Sequence, residues 1–528
     1  MTDKCGATEG SADSREQSFA LALVLAMAAV VGISELALGA AQPGRLRDGT
    51  SAARTLVVAT ASDAVTINPF NVRIVTPDTQ IAKNMYDSLL ELDRDGRVIP
   101  SLAIAWARID PTTIRFHLRS GVKFHHGEDF SAEDVKFTLD AIRDPAQKHT
   151  RASRITFIDR VEVLDRFTVQ IVTKQPQAMA IRNLGDEPIA SASYAKANPA
   201  ILNTRPNGTG AYRFVEWVKD DHLTMEAFPG HWRGVPPVPR VTWRAIKDDA
   251  ARVAALVTGE IDVAHSVPTD LIPLVVRSGR AEVRAVPAMR SYWLMLVNTR
   301  PELPTAKREV RQAINYAIDR AELNRALFDG KALPMATAIH PKSLGYDPRH
   351  AWPYNPAKAK ELLAQAGYPH GFTIGLHASS GRYARDRELS QAIAGHLAKV
   401  GITVRVRNLE VGQFTDGIFK KTTDPMVLLA YADADYDRTG NFFHTHRTGQ
   451  LWSVIAYPEL DALITRAEST LDDAARAEVL REAQAWTMEH APATYLLTLV
   501  DIYGVNKTLK WQPRPDDVLN WREAAFAP

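Results

Sequence analysis

The chain reads as an α/β protein built from more than one lobe. Three observations predict this. Runs with the two-residue period of strands alternate with runs of helical period along most of the sequence. The 528 residues exceed what one hydrophobic core organises, so two or three lobes are expected. At 45% hydrophobic and 23% charged the composition is that of an ordinary folded protein, and no repeat or low-complexity tract interrupts it.

The elements follow in order. Phe19 to Ile33 (FALALVLAMAAVVGI) is an uncharged apolar run with the length of a signal-peptide core, short for a membrane span. Gly39, Ala40 and Ala41 follow it, so cleavage near Ala41 is expected; an N-terminal membrane anchor is the competing reading. The segment ahead carries Asp3, Glu9, Asp13 and Glu16 against Lys4 and Arg15, which fits a translation start downstream of Met1. Cys5 is the sole cysteine, which excludes a disulfide framework or thiolate site in the body of the chain and gives no lipoprotein anchor near the cleavage point. Pro43 to Arg54 reads as a polar linker.

Thr55 to Thr60 is the first strand, and Asn68-Pro69-Phe70 a turn after it. Pro77 to Leu92 reads as one helix, with Ile81, Met85, Leu89 and Leu92 on one face. From Thr113, Ile114, Phe116 and Leu118 alternate with Arg115, His117 and Arg119 as in a half-buried strand, which Ser120-Gly121 breaks. Ser131 is placed to cap a helix, with Asp134 as its capping-box partner, the apolar stripe Val135, Leu139, Ile142, and Pro145 as the stop. Arg160 to Lys174 holds two alternating runs around Asp165-Arg166, a hairpin. Asn207-Gly208-Thr209-Gly210-Ala211-Tyr212 lacks the third glycine and the Lys-Ser/Thr of a phosphate loop, so it reads as a tight turn into the strand Arg213 to Trp217.

Asp248 caps a helix that Gly259 closes, and a strand follows to Val263. Trp293 to Asn298 is a buried strand, and Glu309 to Phe328 two helical pieces broken at Asp319. Asn355-Pro356 opens a helix that Gly367 ends. Phe372 to His377 is a strand, Asp386 to Val400 a helix stopped by Gly401, Ile402 to Val406 a strand, and Asp472 to His490 a long helix.

The wording of several segments is more specific than their patterns. LRSGVKFHHGEDFSAEDVKFTL (118–139) resembles the signature of family 5 of the bacterial extracellular solute-binding proteins, the dipeptide- and oligopeptide-capturing subunits of ABC importers. NMYDSLLELDRDGRVIPSLAIAW (84–106) resembles the segment that precedes that signature. The turn at 207–212 is similar to the family's Gly-Thr-Gly turn, and 248–264 to a further family segment. The matches run in order from about Thr55 to Lys510.

This resemblance implies the type II periplasmic-binding-protein fold: two hinged lobes around a cleft, plus an extra inserted domain that would hold the 118–139 stretch. The expected boundaries are 1–41 for the signal or anchor segment, 42–86, 209–299 and 499–528 for the first lobe, 87–208 for the insertion, and 300–498 for the second lobe. It implies a periplasmic monomer that performs no chemistry and needs no cofactor. Such a protein would hand a small peptide, or another small solute, to a permease in the inner membrane. The net charge of +2 gives no reason to expect nucleic acid.

A peptide arrives as a zwitterion, so its capture calls for a cation, an anion and apolar walls. Arg382, in Ser379-Ser-Gly-Arg-Tyr383 between a strand and a helix, is the candidate for the carboxylate, because the resemblance places an arginine after this strand in dipeptide-binding members. A solvated loop arginine is the plain alternative. For the ammonium the resemblance points to the stretch after Leu428-Leu-Ala-Tyr431, which departs from the family pattern. Tyr431 replaces a tryptophan, Asp433 and Asp435 flank the expected acidic position at Ala434, and Arg438 replaces the proline after Asp437. Phe70, Trp293, Tyr383 and Tyr431 could wall the cleft, although each also reads as ordinary core.

Other chemistry finds less support. His444 and His446 would share a face on a strand, but no third ligand completes a metal site; His125-His126 belong with the architectural loop. Ser193-Tyr-Ala-Lys196 has the Ser-x-x-Lys spacing of penicillin-interacting enzymes without their Lys-Thr-Gly, and the chain has no His-Glu-x-x-His, Gly-x-Ser-x-Gly or P-loop. A secreted hydrolase is therefore the weaker alternative, behind a receptor of the same fold for an opine, an oligosaccharide or a metal chelate, the last favouring His444 or His446.

Overall fold

A ten-stranded mixed sheet runs through the chain, and a four-stranded antiparallel sheet stands apart from it. The computed structural model describes residues 54–72, 77–197, 199–380, 383, 385–432 and 439–527. The readings placed on 19–33, Arg382, Asp433, Asp435 and Asp437 lie outside these residues.

Two long antiparallel strands, Ala281–Leu296 and Ala493–Asn506, form the middle of the large sheet. Ala281 to Pro287 pairs with Val500 to Asn506, Ser291 to Met295 pairs with Ala493 to Thr498, and the register breaks between Pro287 and Ser291. Proline has no N–H to give the ladder, so a break beside it is expected. On one side of the break Val263–Ala264 joins Ala493–Asn506 and leads to the parallel pair Thr55–Thr60 and Arg240–Ala245. On the other side Met426–Ala432 joins Ala281–Leu296 and leads to the parallel pair Phe372–Ser379 and Ile402–Leu409. The sheet therefore has two wings, linked within it by two strands.

Each wing buries its own core. The first packs Leu56, Val58, Trp243, Tyr503 and Trp521 together. The second has a core on each face, as strand alternation requires: Tyr292, Leu294 and Leu296 pack with Val310, Leu376 and Leu389, while Trp293 and Met295 pack with Phe414, Leu429 and Tyr495. Ala288 to Val297 therefore belong to the second core, ahead of the 299/300 boundary read from sequence, because packing changes sides at the register break.

The smaller sheet runs in the order Ala103–Asp110, Thr113–Leu118, Thr168–Thr173, Ile158–Asp165. Helix Ala132–Arg143 lays Val135, Leu139 and Ile142 into a core with Phe116, Val161 and Ile171. The turn at 207–212 locks this unit to the end of helix Pro77–Met85. Gly210 N donates to Met85 O (3.0 Å), and a Cβ at Gly210 would stand 2.5 Å from the Met85 carbonyl carbon. His125 closes the joint, its N–H on Gly208 O (2.9 Å) and its ring on Gly210 O (3.0 Å).

Two expectations are corrected. The helix from Pro77 ends at Met85, and Leu90–Leu92 is a short strand paired with Val98–Pro100. The turn Asp93 to Gly96 closes that hairpin, with Asp93 N on Arg97 O (2.9 Å) and Gly96 at φ 78°, and a helix cannot run on into it. His444 and His446 lie on a helix, Thr439–His446, where residues two apart point to different sides. His446 is buried, with Nε2 on the Tyr495 hydroxyl (2.9 Å).

Candidate ligand-binding site

Phe372–Ser379 and Met426–Ala432 are parallel neighbours in register, Leu376 beside Met426 and Ala378 beside Leu428, so their carboxyl ends stand side by side. From one end the sequence continues to Arg382, from the other to Asp433. Carboxyl ends of adjacent strands are where open α/β sheets take their ligands.

The loop after Phe372–Ser379 is built around Asp386. Its buried carboxylate accepts from Ser379 Oγ (2.9 Å) and from Tyr383 N (3.2 Å). The Tyr383 ring meets Tyr292 edge-on, centroids 6.0 Å apart. Arg385, left-handed at φ 63°, crosses to the first wing, where Nη2 donates to Thr269 Oγ1 (2.9 Å) and approaches Asp270 (3.5 Å).

The aromatic candidates do not form one wall. Tyr431 sits opposite Ser291 and meets Trp452 edge-on (6.0 Å), on the face of the Trp293 core. Tyr383 packs on the other face, with Tyr292. Trp293 is 0% exposed between His446 (5.4 Å) and Tyr495 (5.9 Å), so here it is core and not a cleft wall. Phe70 lies in the core of the smaller sheet against Phe137 (6.2 Å) and His149 (5.2 Å), in a cavity of about 700 Å³ bordered by Lys136, Asp140 and Asn203.

A charged cluster that the motif reading missed lies where the wings join. Arg290, paired across the sheet with Ala432, bonds Asp501 Oδ1 through Nη2 and stands 3.9 Å from Asp517 Oδ2 through Nη1. Asp517 Oδ1 also takes His265 Nε2 (2.8 Å) and the Tyr503 hydroxyl (2.5 Å). Met289 N donates to Pro515 O (2.8 Å), tying the C-terminal segment against the register break. Burial, assisted by Asp517, pushes the Asp501 carboxyl up despite Arg290. Burial acts the same way on Asp517, but His265 and Arg290 outweigh it and hold that carboxyl down at about 2. Asp501 Oδ2 and Arg290 Nε are buried with no hydrogen-bond partner. The available signal was a lone aspartate inside the apolar run Thr494 to Val505.

The remaining candidates are placed elsewhere. Lys196 lies with Nζ 5.5 Å from the Phe137 ring, and Ser193 Oγ is 3.3 Å from Ser191 Oγ. Among the described residues no three His, Cys, Asp or Glu side chains group as metal ligands, and no helix is long and apolar enough to cross a membrane.

Comparison with known proteins agrees with this architecture. The family model for bacterial extracellular solute-binding proteins, family 5, matches residues 97–453. The glutathione-binding protein GsiB of Pectobacterium atrosepticum is 31% identical over 493 residues, covering 90% of this chain and 94% of its own. GsiB of Escherichia coli K12 is 31% identical over 495 residues, with the same coverage of 90% and 94%. Among solved structures, DppA of Helicobacter pylori in complex with the peptide STSA superposes with a TM-score of 0.79 at 24% identity, covering 90% of this chain and 98% of that one. AgaA of A. tumefaciens R10 in complex with agropinic acid gives 0.76 at 25% identity, covering 90% and 99%. The chain thus belongs to family 5 of the bacterial extracellular solute-binding proteins, with the type II periplasmic-binding-protein fold, and captures a small ligand for delivery to an ABC importer.

Proposed function

We propose that the ligand is a small peptide, taken up in the periplasm by a single copy of the chain and passed unchanged to an inner-membrane permease. The observation that carries this reading is the pairing of two parallel strands whose carboxyl ends lead to Arg382 on one side and to Asp433, Asp435 and Asp437 on the other. A guanidinium and carboxylates that follow two neighbouring strands in the sequence suit the two ends of a zwitterion. Relatives named for glutathione and a neighbour holding the peptide STSA support the same class of ligand. In this reading 42–86, 209–287 and 499–528 form the first lobe and 288–498 the second, with 87–208 inserted.

Titration calorimetry with short peptides tests the proposal. A guanidinium–carboxylate bond is worth roughly 1.5–3 kcal/mol, so Arg382→Ala is expected to weaken peptides with a free carboxylate by about 10- to 100-fold. Their C-terminal amides should be little affected. Unchanged affinity for the free acids would remove Arg382 from the site, and no binding of any peptide by the parent would end the peptide reading. A second reading, an opine-like acid, is favoured by Ala434 at the expected anionic position and by the likeness to AgaA with its agropinic acid. Competition between that acid and peptides separates the two.

A further inference from the structure

We propose that Asp501, on the second linking strand, is the acceptor for the cationic amine of the ligand. The inference rests on the peptide reading above and adds the residue that holds the ammonium. Asp501 is the one charged residue of strand Ala493–Asn506 and pairs with Val286, beside the register break between Pro287 and Ser291. Its side chain is 8% exposed, its Oδ1 is taken by Arg290, and its Oδ2 is buried with no hydrogen-bond partner. A buried carboxylate oxygen left without a donor is costly, and the cost is relieved when a donor arrives with the ligand.

Charge points the same way. Two carboxylates, Asp501 and Asp517, face one guanidinium, and His265 and the Tyr503 hydroxyl are both engaged with Asp517. Asp501 is therefore the member of the cluster with capacity for a further cation. Its neighbour Arg290 stands directly across from Ala432, the residue before the stretch where the family resemblance expects the acidic group. That expected position holds Ala434. Asp501 stands on the strand beside Arg290, so the anion is supplied from the neighbouring strand of the sheet. Arg290, 23% exposed, gives the cluster its access to solvent. Arg385 reaches over to Thr269, four residues from His265.

The test is calorimetry on the full exported protein with Ala-Ala, Ala-Ala-Ala and reduced glutathione, each beside its N-acetylated form. The parent is expected to favour the free amine by tenfold or more. Asp501→Asn is expected to bind the free and acetylated forms equally. Because that change leaves Arg290 without its partner, the double variant Arg290→Met/Asp501→Asn, which removes both charges together, is measured in parallel and decides the matter if the single variant does not fold. Retained discrimination in a folded variant would overturn the proposal and return the ammonium to the loop after Ala432. A parent that binds peptides without discriminating would overturn it as well. A parent that binds none of them would fail at the earlier step, the peptide reading, and take this inference with it.

Discussion

His446 shows how strongly a single buried side chain couples this protein to pH. Its ring is enclosed by Phe442, Trp293 and Tyr495, with Nε2 on the Tyr495 hydroxyl, and burial holds its pKa down at about 3. His125 is held at about 4, burial again leading and the Gly210 carbonyl opposing it in part. Both folded-state values lie below the unfolded histidine value of about 6.5. The unfolded chain therefore binds protons first as pH falls. The stability these groups contribute is complete above about pH 6.5 and is lost as pH drops towards about 4 and 3, by roughly 1.4 kcal/mol per pH unit for each group. Denaturant unfolding at pH 6.5, 5.5 and 4.5 is expected to show that slope, and His446→Gln to reduce it by about one proton. An unchanged slope would mean that the folded protein admits the proton at His446.

Helix Ala132–Arg143 carries the corresponding argument at the scale of an element. Asp134 accepts from Ser131 N (2.8 Å) and Ser131 Oγ (3.2 Å), and its other oxygen takes Ala192 N (2.8 Å) at the start of helix Ala192–Ala197. One carboxylate thus serves two helix starts. Asp134→Ala removes the cap and orphans a buried N–H, so it is expected to cost about 2–4 kcal/mol. Ser131→Ala, which leaves the Ala192 bond intact, should cost about 1 kcal/mol. Equal losses in thermal unfolding would show that the link to Ala192 contributes nothing. This element is legible in sequence because a strand alternation, a cap and an apolar stripe are local signals, and the same holds for Asp248 and Asn355 as caps; Asp319, read from sequence as a break between two helices, caps the second of them. Leu90–Leu92 is not legible that way, because three residues are too few to show a period and Leu89 and Leu92 extend a helical one. Tyr383 and Tyr431 read from sequence as residues near the ends of two strands, but the adjacency of those strands and the opposite faces the two rings take depend on a register that sequence does not contain. The Arg290–Asp501 pair joins residues 211 apart, and only the isolated charge in an apolar strand hinted at it.

At the scale of the whole molecule, the second wing touches the first wing and the smaller sheet's unit at places other than the two linking strands. Arg385 reaches Thr269 and Asp270, while Ala178 N, from the smaller sheet's unit, donates to Glu468 O on the second wing (2.7 Å) and Met179 Sδ lies 2.9 Å from Arg476 Nη2. The ladder of the two linking strands is itself interrupted between Pro287 and Ser291. A two-strand joint with a broken register resists bending little, so side contacts of even modest energy can set the balance between apart and together. Arg385 is 35% exposed and Asp270 69%, and a pair so open to solvent contributes at most about 1 kcal/mol. Arg385→Ala is therefore expected to weaken ligand binding by no more than about fivefold. It should also enlarge the radius of gyration of the unliganded protein in small-angle scattering, while the saturated protein stays unchanged, because bound ligand replaces the lost bridge. A variant whose unliganded size matches the parent would show that Arg385 does not bias the balance, and the contacts at Ala178 and Met179 would then be the next to remove.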